Sequence, residues 1–330
     1  MPHLALLLRD LHPPRAPDPG EDAARLPALE YWLARADVHG LEGGWRGWLA
    51  GAALGGGGDP GGGAGLAAAA LLAAPAGGHF WFATPVHYVA GMDTLHLPAA
   101  GLLRLAADEQ QALAADFRRA FAGAPWQLHP TGYRDLLLEG PDIGAHETRD
   151  PAVVVGGDLA SAQPRGAGVR ALRQLAAEIE MWLFEHRLNR DRERRGEVPV
   201  TGLWPWGAGV VPAAAPVGGA RWRLLGDDAY SAALAATSGG EALQAPPPDA
   251  NALPMEAGDR CVVLSGACLA GWQDLLRLEQ QWFAPLCAQL QAGRWSALTL
   301  AFGDRAYTLR RAHRWRAWRR PHAWWKEIGR

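Results

Sequence analysis

Residues 178–209 read EIEMWLFEHRLNRDRERRGEVPVTGLWPWGAG and carry most of the information about the fold. The stretch begins inside an amphipathic helix predicted over 170–187, because apolar residues such as Leu172 and Ile179 recur at helical spacing. It ends with VTGLWPWGAG (200–209), which predicts a short strand running into a turn. A helix followed directly by a strand is typical of an α/β fold.

The alternation of strands and helices extends to both sides of this stretch. The residue pattern predicts further strands at 4–8, 79–89, 133–140, 152–155, 261–266, 295–302 and 307–313. It predicts helices around 26–33, at 108–122 with Asp108 as the cap and Gly123 as the end, and at 269–292. Glycine and proline predict loops at 55–65, 210–220 and 244–254. With no internal repeat, this order favours an α/β sheet over a sandwich or a bundle.

Composition limits the class of protein. The chain has 330 residues, of which 49% are hydrophobic and 20% charged, so one or two domains with a sizeable core are expected. Its cysteines, at 261, 268 and 287, fit neither a disulfide framework nor a CxxC metal site. No secretory leader pattern and no run of about 18 apolar residues occurs. We therefore expect a soluble, cytoplasmic protein without a membrane span.

The helix-to-strand stretch contains a spaced motif. Its members are His186, Asn189, Arg192, Gly196, Trp204, Trp206, Gly207 and Gly209. Upstream lie GYRDLLLEG, with Asp135, and DIGAHET, with His146. This set resembles the archaeal-type cofactor-independent phosphoglycerate mutases of the alkaline phosphatase superfamily, with Asp135 in place of a family histidine. The resemblance is best over residues 130–209, about a quarter of the chain.

The resemblance implies a two-domain architecture. An alkaline-phosphatase-like core sheet flanked by helices is expected from residues 1–78 and 201–330. A smaller α/β domain on the substrate side is expected to be inserted at 79–200.

The matched residues suit an anionic ligand. Arg134 and Arg192 have guanidinium groups that bind phosphate or carboxylate in a bidentate manner, and Asn189 offers both a donor and an acceptor. The candidate anion site comprises Arg134, His146, His186, Asn189, Arg192 and Trp206. The alternative is a retained scaffold, in which Asn189 caps a helix end and the tryptophans pack.

The residues that phosphoryl transfer needs in the similar family are absent at several positions. The family uses a serine nucleophile after the first strand and two metal ions held by Asp and His, yet no Ser precedes Ser161 and no Thr precedes Thr84. No His lies between His186 and His313, and Arg305 follows Asp304 where the family has Asp-His. The five histidines between 79 and 146 lack metal-site spacing. We therefore predict no catalytic residue, no metal site and no cofactor.

The C-terminal end is basic and rich in tryptophan. Residues 305–330 hold eight Arg and one Lys against one Glu, and four tryptophans alternate with arginines after residue 313. These aromatics could pack under the arginine stems of a closing strand. They could instead bind a protein partner through Arg314, Trp315, Trp318, Arg319 and Arg320. Nucleic acid is disfavoured as a partner because no recognised nucleic-acid-binding module is present.

These observations favour an inactive homologue of the phosphoglycerate mutases with a regulatory or scaffolding role, similar to the bacterial RpfE-type regulatory proteins of a degenerate branch. Two alternatives remain open. One is a binding module that senses a small phosphorylated acid through Arg134, Asn189 and Arg192. The other is a residual metal-dependent phosphomutase or phosphatase.

Overall fold

The computed structural model describes residues 2–9, 25–41, 44–54, 63–91, 95–156, 159–214, 222–239, 242–254, 258–264 and 272–325. These residues form two compact units. The first takes the described residues within 1–58, 218–227 and 238–330. The second takes those within 59–217 and 228–237.

The strands of the described residues are β1 His3–Leu8, β2 Asp37–Gly40, β3 His79–Val86, β4 Val89–Ala90, β5 Leu95–His96, β6 Gln127–His129, β7 Leu136–Gly140, β8 His146–Glu147, β9 Arg165–Gly166, β10 Gly202–Val210, β11 Trp222–Leu225, β12 Asp259–Leu264, β13 Ala297–Phe302 and β14 Arg305–Arg310. Their helices are α1 Pro27–Arg35, α2 Gly44–Leu54, α3 Gly63–Leu72, α4 Ala107–Ala120, α5 Val169–Phe184, α6 Arg187–Arg194, α7 Ala229–Gly239, α8 Trp272–Leu278 and α9 Ala284–Gln291. The α/β class predicted from the alternation, a multi-strand sheet with helices against it, is confirmed.

A six-stranded sheet of order β11-β12-β1-β13-β14-β2 organises the first unit. β1 lies inside the sheet between β12 and β13, parallel to both. Its sequence, HLALLL, has no polar residue after the first, as expected for a strand buried on both faces. β13 and β14 form the hairpin predicted at the C-terminal end, and β14 also pairs antiparallel with β2.

The helix predicted over 269–292 is present as α8 and α9, joined by a π-helical turn at Glu279–Phe283. This turn directs the buried Glu279 carboxylate to the start of α1, where it accepts hydrogen bonds from the backbone N–H groups of Ala28 (2.6 Å) and Leu29 (3.1 Å). Helix starts leave such donors unpaired. Glu279 therefore fixes α1 against the C-terminal helices, and α1 in turn leads into β2.

The second unit contains an antiparallel sheet of order β10-β3-β7-β6. Its core cluster joins Trp81 and Leu136 of the sheet with Phe117 of α4 and Ile179 of α5. Helix α3 packs on β3 and β10. Because β10 pairs with β3 along most of its length, this unit extends beyond residues 79–200 in both directions.

Residues 63–65 correct the prediction of a loop over 55–65, since they begin α3 and are buried; residues 55–62 lie outside the described residues. The reason is the close approach of α3 to β10. A Cβ atom on Gly65 would lie 2.3 Å from the backbone oxygen of Val210. Glycine here permits helix and strand to pack, an advantage that outweighs its low helix propensity.

Three further predictions of local structure were wrong. Residues 152–155 do not form a strand, because Asp150 caps a 3₁₀ turn at Pro151–Val154 by accepting from the N–H of Ala152 at 3.0 Å. Asp108 lies inside the first turn of α4, whose N-terminal backbone N–H at Ala106 is bound by Glu109 instead. The helix predicted to 187 ends at Phe184, and Asn189 lies within a second helix, α6, rather than past a helix end.

Among the helices that the structure describes, none combines the length and apolar character needed to cross a bilayer.

Candidate functional site

The six residues of the predicted anion site all belong to the second unit. Arg134 precedes β7, His146 begins β8, and Trp206 lies in β10. His186 caps α6, and Asn189 and Arg192 lie within it. Their described contacts fall into separate groups.

Arg134 and Trp206 belong to one buried polar network. Trp206 Nε1 donates to Thr84 Oγ1 at 2.8 Å, and that hydroxyl donates to Asp135 Oδ1 at 2.6 Å. Arg134 Nε also approaches Asp135 Oδ1, at 3.5 Å. All four side chains are buried. Asp135, which replaces a histidine of the similar family, therefore balances the charge of Arg134 and ties β3 and β10 to the start of β7.

Asn189 joins helices to a strand. Its Nδ2 donates to the carbonyl oxygens of Leu183 and Val200, each at 2.8 Å, and its Oδ1 accepts from the N–H of Val200 at 2.8 Å. The end of α5, the body of α6 and the segment leading to β10 thus meet at one amide. Both donor and acceptor functions of Asn189 are engaged by the backbone.

Arg192 lies in a balanced cluster of charges. Its Nη1 donates to both carboxylate oxygens of Glu109, at 3.0 Å each, and its Nε donates to the Val198 carbonyl at 2.8 Å. Arg195 bonds to Glu109 and to Glu197, so two guanidinium groups face two carboxylates. Arg192 is buried, and a buried arginine needs such pairing.

His186 and His146 also have partners within the chain. His186 Nδ1 accepts from the N–H of Leu188 at 3.2 Å, while Nε2 lies 3.2 Å from Asp116 Oδ2. Burial lowers the pKa of His186, although Asp116 opposes this effect. His146 Nε2 accepts from Trp81 Nε1 at 2.9 Å. Both imidazoles are therefore held by structural contacts.

Helix α4 connects these groups. Glu109 binds Arg192, and the adjacent Gln110 accepts from the N–H groups of Thr131 and Gly132 and donates to the Tyr133 carbonyl, just before Arg134. The sequence analysis did not single out Glu109 or Gln110, whose only signal was a polar pair in the first turn of a helix. The described contacts of the motif residues are those of a scaffold that positions β7, α6 and β10.

A second candidate site lies in the first unit and is formed by residues 310–320, here called the basic aromatic segment. It contains six arginines. Three of them hold the segment to the turn between α1 and β2. Arg310 and Arg316 donate to opposite oxygens of Asp37 at 2.7 Å each, and Arg319 donates to the Ala36 carbonyl at 2.9 Å.

The other half of the basic aromatic segment faces solvent. Trp315 and Trp318 are 71% and 75% exposed, in contrast to Trp324, which is buried in the core of the same unit. The guanidinium of Arg314 lies over the Trp315 ring, 4.8 Å from its centroid. No acidic side chain in the described part of the chain pairs with Arg311, Arg314 or Arg320. The segment thus presents two indoles and three cations on a fixed base.

Asp304, which precedes Arg305, is 90% exposed in the β13–β14 turn. Within the described ranges no three side chains of His, Cys, Asp or Glu are grouped as a metal site would require. Asp37 and Arg35, which hold the basic aromatic segment, were missed because a single acid after a helix gives no pattern in the sequence.

Comparisons with known proteins add the following. No protein-family model matches the chain, and no curated protein matches it. The cofactor-independent phosphoglycerate mutase from Thermoplasma acidophilum is similar in structure, with 15% identity and a TM-score of 0.36 over 93% of this chain and 88% of that one. The PH0037 protein from Pyrococcus horikoshii is similar with 10% identity and a TM-score of 0.37 over 93% and 86% of the two chains. The function of this chain therefore has to be inferred from its own residues and contacts.

Proposed function

We propose that this protein is a non-catalytic binding protein that acts in a regulatory or scaffolding role by docking a protein partner on its basic aromatic segment. The observation that carries the proposal is the exposure of Trp315 and Trp318 on a segment anchored on both sides. Arg310 and Arg316 bind Asp37 at one side, and Trp324 enters the core at the other. Exposed tryptophans beside arginines are the side chains that most often dominate binding energy in protein interfaces.

The charge of the segment specifies the partner. Arg311, Arg314 and Arg320 are exposed, as the two indoles are, and have no acidic partners among the described residues. A complementary surface would offer carboxylates around an apolar pocket, so that the indoles are buried while the cations are paired at the rim. We therefore expect an acidic protein partner.

Single-stranded nucleic acid is the main competitor for this surface, because it combines phosphates with stacking bases. Two features favour a protein. Arg314 already covers one face of the Trp315 ring, which removes a stacking surface. The basic aromatic segment carries two exposed indoles, too few for a run of stacked bases.

The absence of catalysis is supported by the sequence. No Ser or Thr occurs in residues 1–83, where the similar mutase family places its nucleophile. The alternative of a module that senses a small phosphorylated acid would need Asn189 and Arg192 to release Val200 and Glu109. Calorimetry with 2- and 3-phosphoglycerate tests that alternative, and turnover of either compound with Mn²⁺, Zn²⁺ or Mg²⁺ would show residual activity.

The docking proposal is tested by placing a photo-crosslinking residue at the exposed position 317, identifying the captured protein and purifying it. Its affinity is then measured by calorimetry for the wild type and for the double variant Trp315→Ala/Trp318→Ala. We expect the double variant to bind at least about 30-fold more weakly, the effect of losing one or more dominant interface residues. Phe184→Ala is the matched control, because Phe184 is an 86% exposed aromatic on the other unit.

Equal affinities for the wild type and the double variant would contradict the proposal. A second arm measures the anisotropy of a labelled single-stranded oligonucleotide. Tight binding that weakens steeply with salt and depends on the two tryptophans would assign the surface to nucleic acid instead.

A further inference from the structure

The second unit contains a cavity of about 230 Å³ that the functional proposal above does not use. It lies between residues 172–180 of α5 and residues 203–205 of β10, and residues 163–164 line one side. Its apolar lining comprises Leu172, Ala176, Ala177, Leu203, Pro164 and Pro205. Pockets for drug-sized ligands measure about 300–1,000 Å³, so this cavity suits a smaller molecule.

Two aromatic rings form one wall of the cavity. The Tyr88 and Trp204 rings meet edge to face, with centroids 6.4 Å apart and planes at 63°. Both are fixed in place. Trp204 Nε1 donates to the Arg149 carbonyl at 2.8 Å, and the Tyr88 N–H donates to Thr201 Oγ1 at 2.7 Å. The wall is therefore present before any ligand binds.

A carboxylate approaches this aromatic wall from α5. A Cβ atom added to Gly202 would lie 3.5 Å from Glu180 Cγ and 3.6 Å from the Tyr88 hydroxyl oxygen, so the two side chains converge above that glycine. No hydrogen-bond donor or cation within the described ranges pairs with the Glu180 carboxylate. Although part of the side chain reaches solvent, burial raises the pKa of Glu180. The carboxylate thus belongs to an exposed residue at the rim of the cavity and has no counter-ion among the described residues.

The cation nearest along the helix does not supply that counter-ion. Arg173 lines the same cavity but donates to the Pro164 carbonyl at 2.5 Å. It precedes Glu180 by seven residues, which is two helical turns or about 10 Å along the axis. A cation from solution could therefore pair with the Glu180 carboxylate at this end of the cavity.

We propose that this cavity binds a small organic ammonium ion, held by the Glu180 carboxylate and by the rings of Trp204 and Tyr88. Rings of Trp and Tyr attract a cation through their quadrupole, more strongly where water is excluded. A carboxylate at the same end adds direct charge attraction, which is stronger in a partly dry cavity than in water. Alkyl groups on the cation would contact the apolar lining.

The test is titration calorimetry of the full chain with choline and with its uncharged isostere 3,3-dimethyl-1-butanol. We expect saturable choline binding that is at least about tenfold tighter than that of the isostere, a ratio corresponding to 1.4 kcal/mol. Glu180→Gln should weaken choline binding about tenfold or more, for the same reason. Glu178→Gln is the matched control, because Glu178 lies on the same helix but bonds to Gln174 outside the cavity.

Tyr88→Phe separates the ring from the hydroxyl and should retain most of the choline affinity. The proposal is overturned if neither choline nor ethanolamine binds, if the uncharged isostere binds as tightly as choline, or if Glu180→Gln binds choline like the wild type. A far-ultraviolet circular dichroism spectrum of each variant identifies any loss of folding, and Glu180→Gln, at an exposed helical position, is expected to fold.

Discussion

Asn189 and Val200 exchange two hydrogen bonds, each of 2.8 Å, between a side-chain amide and a backbone peptide group. A third bond runs from the same amide to the carbonyl of Leu183. The twelve residues from Asn189 to Val200, which include most of α6, are thereby closed into a loop at one buried point. In the sequence, Asn189 belongs to a motif suggestive of anion binding. In the structure its amide fixes the entry of the chain into β10.

This geometry predicts that Asn189→Ala destabilises the second unit. The substitution leaves the backbone N–H and C=O of the buried Val200 without Asn189 and removes one of several bonds to the Leu183 carbonyl, and we expect a loss of about 2–4 kcal/mol in the free energy of unfolding. Urea denaturation followed by circular dichroism measures it. Arg190→Ala, at an exposed position on the same helix, is the control and should change stability by less than about 0.5 kcal/mol. Similar values for both variants would show that the amide is not structural.

A second prediction concerns Arg192 and Glu109. Arg192→Met should lower the free energy of unfolding by about 1.5–3 kcal/mol, because the buried Glu109 carboxylate loses one of its two cationic partners and keeps only Arg195. Adding Glu109→Gln should recover part of that loss, since the neutral amide no longer requires the cation. Denaturation of the two single variants and the double variant gives their interaction energy, expected to be at least about 1 kcal/mol. If the two losses simply add, Arg192 does not serve to balance Glu109.

Element type could be inferred from the sequence where apolar periodicity was long and uninterrupted. β1 and the two long helices of the second unit, α4 and α5, follow directly from such runs. The α3 segment could not be predicted, because Gly65 serves a helix–strand contact that is invisible without the position of Val210. Local propensity therefore failed where tertiary packing determined the choice of residue.

In the candidate site, too, the sequence pattern predicted some features, while others depended on tertiary structure. The basic aromatic segment is visible as an alternation of Trp and Arg, but which indoles are buried depends on the path of the chain. Trp324 enters the core, while Trp315, which lies between two arginines, remains exposed. The pairing of Arg192 with Glu109 spans 83 residues and has no local signal.

The pH dependence of stability should report on His186. Its Nδ1 accepts a backbone N–H, so the proton-bearing nitrogen of the neutral ring is Nε2, facing Asp116. Burial lowers the pKa of His186 below the ordinary value of 6.5. Because the pKa of His186 is lower in the folded than in the unfolded state, its contribution to stability is complete above the unfolded-state pKa of 6.5. That contribution is lost as the pH falls through the folded-state pKa.

The measurement is urea denaturation of the wild type and His186→Asn at pH 7.5, 6.5 and 5.5. Asparagine retains a helix-capping oxygen but does not titrate, so the variant should lose less stability on acidification. Burial also lowers the pKa of His313. The effect of His313 on the pH dependence of stability is the same in both proteins and therefore cancels in the comparison. Parallel pH profiles for the two proteins would be incompatible with a neutral capping role for His186.

The anchor of the basic aromatic segment predicts protection from trypsin. Arg310 and Arg316 are bound to Asp37, and Arg316 also donates to the Arg35 carbonyl at 2.9 Å. In Asp37→Asn the charge that holds both side chains is removed, and local opening should become easier. We expect cleavage after Arg316 to accelerate by about tenfold, measured by mass spectrometry of timed digests. Asp304→Asn, an exposed acid in the same unit, is the control and should leave the cleavage rate unchanged.

The affinity of the proposed ammonium site should rise with pH. The titratable and charged groups that line the cavity are Tyr88, Arg173 and Glu180. Burial and the nearby Glu180 charge raise the pKa of Tyr88, so its hydroxyl stays protonated at neutral pH. Glu180 is then the group that titrates, with a pKa that burial raises above the ordinary 4.5.

Because only the ionised carboxylate attracts a cation, choline affinity should fall as pH decreases through that raised pKa and should be constant well above it. Calorimetry of the wild type between pH 4.5 and 8 measures the profile, and Glu180→Gln should show a flat one. A wild-type profile as flat as that of the variant would mean that the carboxylate does not contact the ligand.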